Sequence, residues 1–135
     1  MAISHSTVRA NTWTAVNAGV AAATSKTILA KFPDDPTRIT AASYPIVVMS
    51  PAQVEADGKF FGSTNNPKEI TVFVDVYSNN PADIDTVSDQ IANYFETTRI
   101  DDVHLVAVND SDVDVLTINN LNIAFRIISI TFSFL

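Results

Sequence analysis

The chain has no cysteine, which removes disulfides, thiolate nucleophiles and cysteine-ligated zinc and leaves the redox compartment open. Positive charge is also scarce. Four lysines and four arginines face fifteen acids, twelve of them aspartates, for a net charge of −7. The cations Arg9, Lys26, Lys31, Arg38, Lys59, Lys68, Arg99 and Arg126 are scattered singly, whereas neutralising a phosphate backbone takes clustered Lys and Arg. Tight binding to DNA or RNA is therefore not expected, and attachment to an anionic membrane surface fails on the same count. No apolar run approaches the ~18–20 residues of a membrane span. After Arg9 the stretch AVNAGVAAA, Ala15–Ala23, ends like a signal-peptide cleavage site, but Asn11, Thr12, Thr14 and Asn17 interrupt the apolar core that such a peptide needs, so an alanine-rich helix is expected instead.

What is present suits a folded domain. With 135 residues, 47% hydrophobic and only 17% charged, the chain has the apolar material for a core and is expected to form one domain over 1–135. Its first segment, Ser6 to about Thr24, reads as a helix in which Val8, Trp13, Val16 and Val20 give part of a helical stripe. A Pro-Asp-Asp-Pro turn follows at Pro33–Pro36. YPIVVMS, Tyr44–Ser50, reads as a buried strand, with Pro45 tolerated at its start or on a sheet edge. The polar stretch after it holds Phe60 and Phe61 between Gly58 and Gly62, and is expected to be a hairpin or a loop. Ile70–Ser78 is a strand with Ile70, Val72, Val74 and Val76 on one face and Thr71, Phe73, Asp75 and Tyr77 on the other.

The junction YSNNPADID places Asn80 as a helix N-cap, Pro81 at the first helical position and Asp83 in the first turn. Ile84, Val87, Ile91, Tyr94 and Phe95 continue at helical spacing to about Thr97. A phosphate-holding turn needs glycines so that backbone amides can approach an anion. This one has none, and Asp83 and Asp85 already occupy the positive helix end. The junction is scaffold. VHLVAVND and SDVDVLTI then give two short strands. The last segment, Leu121–Leu135, changes the parity of its apolar residues, which predicts a bulge or bend near Ile127–Ile128.

These elements carry few catalytic candidates. His104 alternates with Val103 and Leu105 and is expected to face solvent or a partner, and His5 lies near the chain start. No serine sits in a G-x-S-x-G elbow. Asp110, Asp112 and Asp114 resemble the opening of a calcium loop, but the sixth position is Val115 instead of glycine and the twelfth Leu121 instead of glutamate. Asp101 and Asp102 are adjacent on a turn and diverge. No catalytic residue, metal site or cofactor is expected. What is left over is aromatic: Phe60 and Phe61, with Lys59 beside them; Phe73 and Tyr77 on the second face of their strand; and Phe132 and Phe134 in the last strand. All are candidates for contacts between subunits.

The order of elements resembles the tail terminator, or tail completion, proteins of long-tailed phages and viruses. SYPIVVMSP, VDVYSNNPADIDTVSDQI and the closing FRIISITFSF carry the likeness, which runs from STVRANTWTAV to the end of the chain. The resemblance implies an α+β fold: a mixed, mainly antiparallel sheet with an N-terminal helix and a second helix packed on it. It also implies a non-enzymatic virion protein of the tail and neck, assembled in the host cytoplasm. Such a protein forms a ring, usually a hexamer, that caps the tail tube and meets the head connector. Its partners would be copies of itself, a tail tube protein and a head-completion or connector protein. DNA would pass through an acidic lumen without specific binding. Alternatives are another neck or head–tail joining ring component, or a small α/β ligand-binding module or enzyme.

Overall fold

A computed structural model describes residues 5–30, 44–50, 54–57, 68–101, 103–118 and 121–134. The N-terminal helix α1 spans His5–Thr24 and is followed by β1 (Ile28–Leu29), β2 (Ile46–Val48), β3 (Val54–Asp57) and β4 (Lys68–Ser78). Helix α2 (Pro81–Thr97) leads into β5 (His104–Asp110), β6 (Asp114–Ile118) and β7 (Leu121–Phe134). The Pro33–Pro36 turn and the Lys59–Phe60–Phe61 stretch lie outside the described residues.

Among the described residues the strands form one sheet in the order β1-β2-β4-β7-β5, with β3 also on β4 and β6 also on β7. Only β1 and β2 run parallel; the other pairs are antiparallel. This is the α+β class, a mixed and mainly antiparallel sheet with an N-terminal and a second helix. Within the polar stretch read as hairpin or loop, Val54–Asp57 is a strand, paired antiparallel to β4 from Val54↔Val72 to Asp57↔Glu69.

Alternation in β4 sorts its side chains cleanly. Ile70, Val72, Val74 and Val76 are fully buried against Val16 and Val20 of α1 and Ile84, Val87, Ile91 and Phe95 of α2. Val8, Val47, Met49, Val103, Ala124, Ile128, Ile130, Phe132 and Phe134 belong to the same core. A second, smaller cluster joins Tyr44, Ile46, Val48 and Ile123, with Leu29 and Tyr77 packed on it, and no described helix residue belongs to it. Strand β2 is therefore buried on both faces, which is why its sequence is a continuous apolar run.

The parity change in β7 has the same origin. Its register with β4 is unbroken from Lys68↔Phe134 to Ser78↔Ala124, so the bulge expected near Ile127–Ile128 does not occur there. Ile123 turns into the second cluster while Ile128, Ile130, Phe132 and Phe134 turn toward the helices, so each face takes apolar residues at a different height. The irregularity lies in the partner strand, where β5 shifts register between Leu105 and Ala107.

The β4–α2 junction is built as its sequence reads. The Asn80 side chain accepts from the Ala82 amide at 3.1 Å, and Pro81 takes the first turn, where a missing N–H costs nothing. The buried Ser78 hydroxyl donates to Asp83 Oδ2 at 3.2 Å and accepts from the Asn80 amide at 3.1 Å. At the other end of α2 the two helices touch through Gly19, where an added Cβ would lie 2.7 Å from Tyr94 Cε1 and 2.9 Å from Phe95 Cζ. The glycine that weakens α1 as an isolated helix is what lets α2 approach it.

Candidate functional site

The far edge of the sheet is made by two short strands in tandem. Strand β6 pairs with Leu121–Phe125 of β7, and β5 pairs with Ile128–Ser133. Among the described residues no strand pairs with their outer side. The large apolar side chains that stay exposed in the described chain all fall on this edge: Val115 at 64%, Val106 at 53%, Leu116 at 39% and Val113 at 36%. Val106 is the residue that the β5 bulge sets aside, and a bulge of this kind re-aims a side chain outward. Val115 lies opposite Ala124 and Leu116 opposite Ile123, so the edge shows an apolar residue on each face.

Three exposed aspartates punctuate the same edge. Asp110 closes β5, Asp112 sits in the turn and Asp114 opens β6. They therefore do not lie on a single strand. Charges of this kind on an apolar edge discourage indiscriminate strand pairing. The turn itself is fixed from beneath by Arg126. Its Nε donates to the Ser111 carbonyl at 3.0 Å, and its NH1 donates to Asp85 Oδ1 at 3.1 Å and Ser88 Oγ at 3.0 Å. Asp110 Oδ2 lies 3.8 Å away. One guanidinium thereby ties α2, β7 and the β5–β6 turn together, and Ser111 exchanges two further bonds with Ile127.

The sheet face away from the helices carries a second feature. Phe73, Asp75 and Tyr77 of β4 are half-buried, as are Phe125 and Ile127 of β7. Tyr77 stacks on Phe125 with ring centroids 5.5 Å apart and planes 17° from parallel. Asp75 stands between Phe73 and Tyr77 along its strand, and between Val48 and Ile127 across the sheet. Burial pushes its carboxyl above the usual range. The Tyr77 hydroxyl is raised as well, first by burial and then by the charge of Asp75. Among the described residues no side-chain hydrogen bond or ion pair reaches the Asp75 carboxylate.

Two clefts open near the end of α2. The smaller, about 230 Å³, is lined by Phe95, Arg99, Val103, His104, Leu105 and Phe132 among others. The larger, about 470 Å³, lies between α1 and the end of α2 and is lined by Asn11, Ala15, Tyr94, Thr98, Arg99, Ile100 and Asp101. His104 is exposed.

The aromatic residues singled out from the sequence separate into three groups. Lys59, Phe60 and Phe61 lie outside the described residues. Phe73 and Tyr77 occupy the face away from the helices, half-exposed. Phe132 and Phe134, taken as contact residues, are 2% and 5% exposed and packed in the main core, with Phe132 edge-on to Phe95 at 6.2 Å. That assignment is corrected: both rings are consumed by the chain's own core, and neither is available to another subunit. The exposed edge and the unpartnered Asp75 were not foreseen from the sequence. The alternation of Val113 and Val115 with aspartates held a trace of the first, and an acid set between Phe73 and Tyr77 held one of the second.

A scan of protein-family models finds no match to the chain, and a search of curated proteins finds none either. No helix among the described residues is long and apolar enough to cross a membrane.

Proposed function

We propose that this chain is a structural subunit that works by assembling with copies of itself, in the manner of the tail terminator ring its sequence resembles. In this reading it is a non-enzymatic virion protein of the tail or neck, closing into a ring of about six copies that caps the tail tube and joins it to the head connector. The observation that carries the reading is the β5–β6 edge. Among the described residues, whose large apolar side chains are otherwise buried or half-buried, Val106, Val113, Val115 and Leu116 are left in water along one unpaired strand edge. Exposed apolar groups gathered on an edge mark a contact surface. The net charge of −7 also suits a lumen through which DNA slides without being held.

The test is the mass of the purified chain in solution, alone and with Val115 and Leu116 both replaced by serine. Both side chains are exposed, so the fold of the double variant should survive. The reading expects oligomers from the parent chain and their loss in the variant. A parent that stays monomeric and gains melting temperature from a small metabolite would favour a ligand-binding module and overturn it.

A further inference from the structure

Among the described residues Asp75 is a half-buried charge that no side-chain donor or cation meets. Four flanking residues, Phe73, Tyr77, Val48 and Ile127, are apolar or aromatic, and half-burying a carboxylate without a donor or cation is a standing cost. Such a group is stabilised when a cation is delivered to it from outside. The surface around it selects the kind of cation. A planar, weakly hydrated guanidinium can pair with the carboxylate and lie against aromatic rings, whereas an ammonium is held more tightly by water.

The chain's own surface offers the complement. Arg126 is engaged with Asp85, Ser88 and Ser111, and Lys26 is half-buried at the end of α1. Arg99 is exposed just beyond α2, at the rim of the larger cleft beside Tyr94 and Ile100, and no acid among the described residues pairs with it. It therefore has the charge and the apolar neighbours to meet a half-buried carboxylate. It also lies with the helices, whereas Asp75 lies on the opposite sheet face, so one copy cannot satisfy both. We propose that the sheet face centred on Asp75 is a docking site for a second copy of this chain, which delivers the Arg99 guanidinium to the Asp75 carboxylate. Donor and acceptor surfaces differ, so the contact is head-to-tail, the kind that generates rings. The proposal rests on the assembly reading above and names the charge pair that would orient it.

The experiment is a mixing test at moderate salt, read as mass in solution. Asp75→Asn keeps the shape and removes a desolvated charge, so its fold is not at risk; Arg99→Glu changes an exposed side chain. Each variant alone should lose assembly by ~30-fold or more, the scale expected when one member of a desolvated charge pair is removed. Mixed, they should form a 1:1 dimer that does not extend, because the Arg99 of one meets the Asp75 of the other. Arg9→Glu should assemble as the parent does. Normal assembly by Asp75→Asn, a mixture that stays monomeric, or loss of assembly in Arg9→Glu in place of Arg99→Glu would each overturn the proposal while leaving the assembly reading intact. A parent chain monomeric at every concentration would overturn both.

Discussion

Replacing Gly19 by alanine sets two effects of opposite sign against each other, and the geometry decides between them. In an isolated helix the change stabilises by about 1 kcal/mol, because alanine loses less conformational freedom than glycine. In this protein the new methyl would stand 2.7 Å from Tyr94 Cε1 and 2.9 Å from Phe95 Cζ, whereas carbon atoms rest at about 3.5–4.0 Å. One ring or one helix must therefore move by most of an ångström. Tyr94 is half-exposed, but it sits edge-on to Phe95 with centroids 5.1 Å apart, and Phe95 in turn sits edge-on to Phe132 at 6.2 Å. Displacement passes from the surface ring into the core. Overpacking of this kind costs about 1–3 kcal/mol, so the net expectation is a loss of about 0–2 kcal/mol once the propensity gain of roughly 1 kcal/mol is subtracted. For a chain of this size that lowers the melting temperature by up to about 8 °C. Thermal and urea denaturation followed by circular dichroism would measure it. Ala18→Gly, on the exposed side of the same helix, serves as the control and should cost about 1 kcal/mol through propensity alone. A rise in stability for Gly19→Ala would show that close helix contact is not what the glycine provides.

Further expectations follow from single contacts. Arg126→Met keeps the aliphatic stem and removes the bonds to Ser111, Asp85 and Ser88; because Asp85 is largely exposed, the loss comes mainly from the other two and should be about 1.5–3 kcal/mol in urea unfolding. Phe132→Ala should cost about 3–5 kcal/mol, as truncation of a core ring does, whereas Leu116→Ala at the exposed edge should change monomer stability by less than about 0.5 kcal/mol. Equal costs for the two would contradict the assignment of one to the core and the other to the surface. Asp75 has a raised pKa in the folded chain, so the folded state holds its proton more tightly than the unfolded state. Its unfavourable contribution is present above the folded pKa and disappears as pH falls toward the ordinary aspartate range. Compared below the assembly concentration, Asp75→Asn should therefore be more stable than the parent at neutral pH, by a fraction of a kcal/mol given its partial solvation, with the gap closing as pH drops. A gap that widens on acidification would refute this.

Much of the fold was legible because local and tertiary signals agree. The Asn80–Pro81–Asp83 start of α2 and the alternation of Ile70, Val72, Val74 and Val76 are local patterns, and the structure uses them as read. Features set by a neighbouring strand were not legible. The parity change in β7 pointed to a bulge in β7 itself, yet it arises because two clusters claim opposite faces of one straight strand, and the bulge lies in β5. Phe132 and Phe134 alternate with Thr131 and Ser133, the pattern of a core strand; their position near the chain end drew them toward a contact role that burial excludes. Val106 of β5 and Val115 and Leu116 of β6 look like core residues in one dimension. They are exposed because those strands stand at the sheet's edge, and strand order is not written in any single strand. Asp75 shows the same limit: its neighbours Val48 and Ile127 come from two other strands.

In the proposed assembly the β5–β6 edge is covered by further copies of the chain. Negative-stain electron microscopy combined with light-scattering mass on the purified protein tests it most directly. Closed rings of uniform diameter with a mass several times 14.6 kDa are expected. A single species at the monomer mass, unchanged on concentration and on addition of tail tube protein, would contradict it.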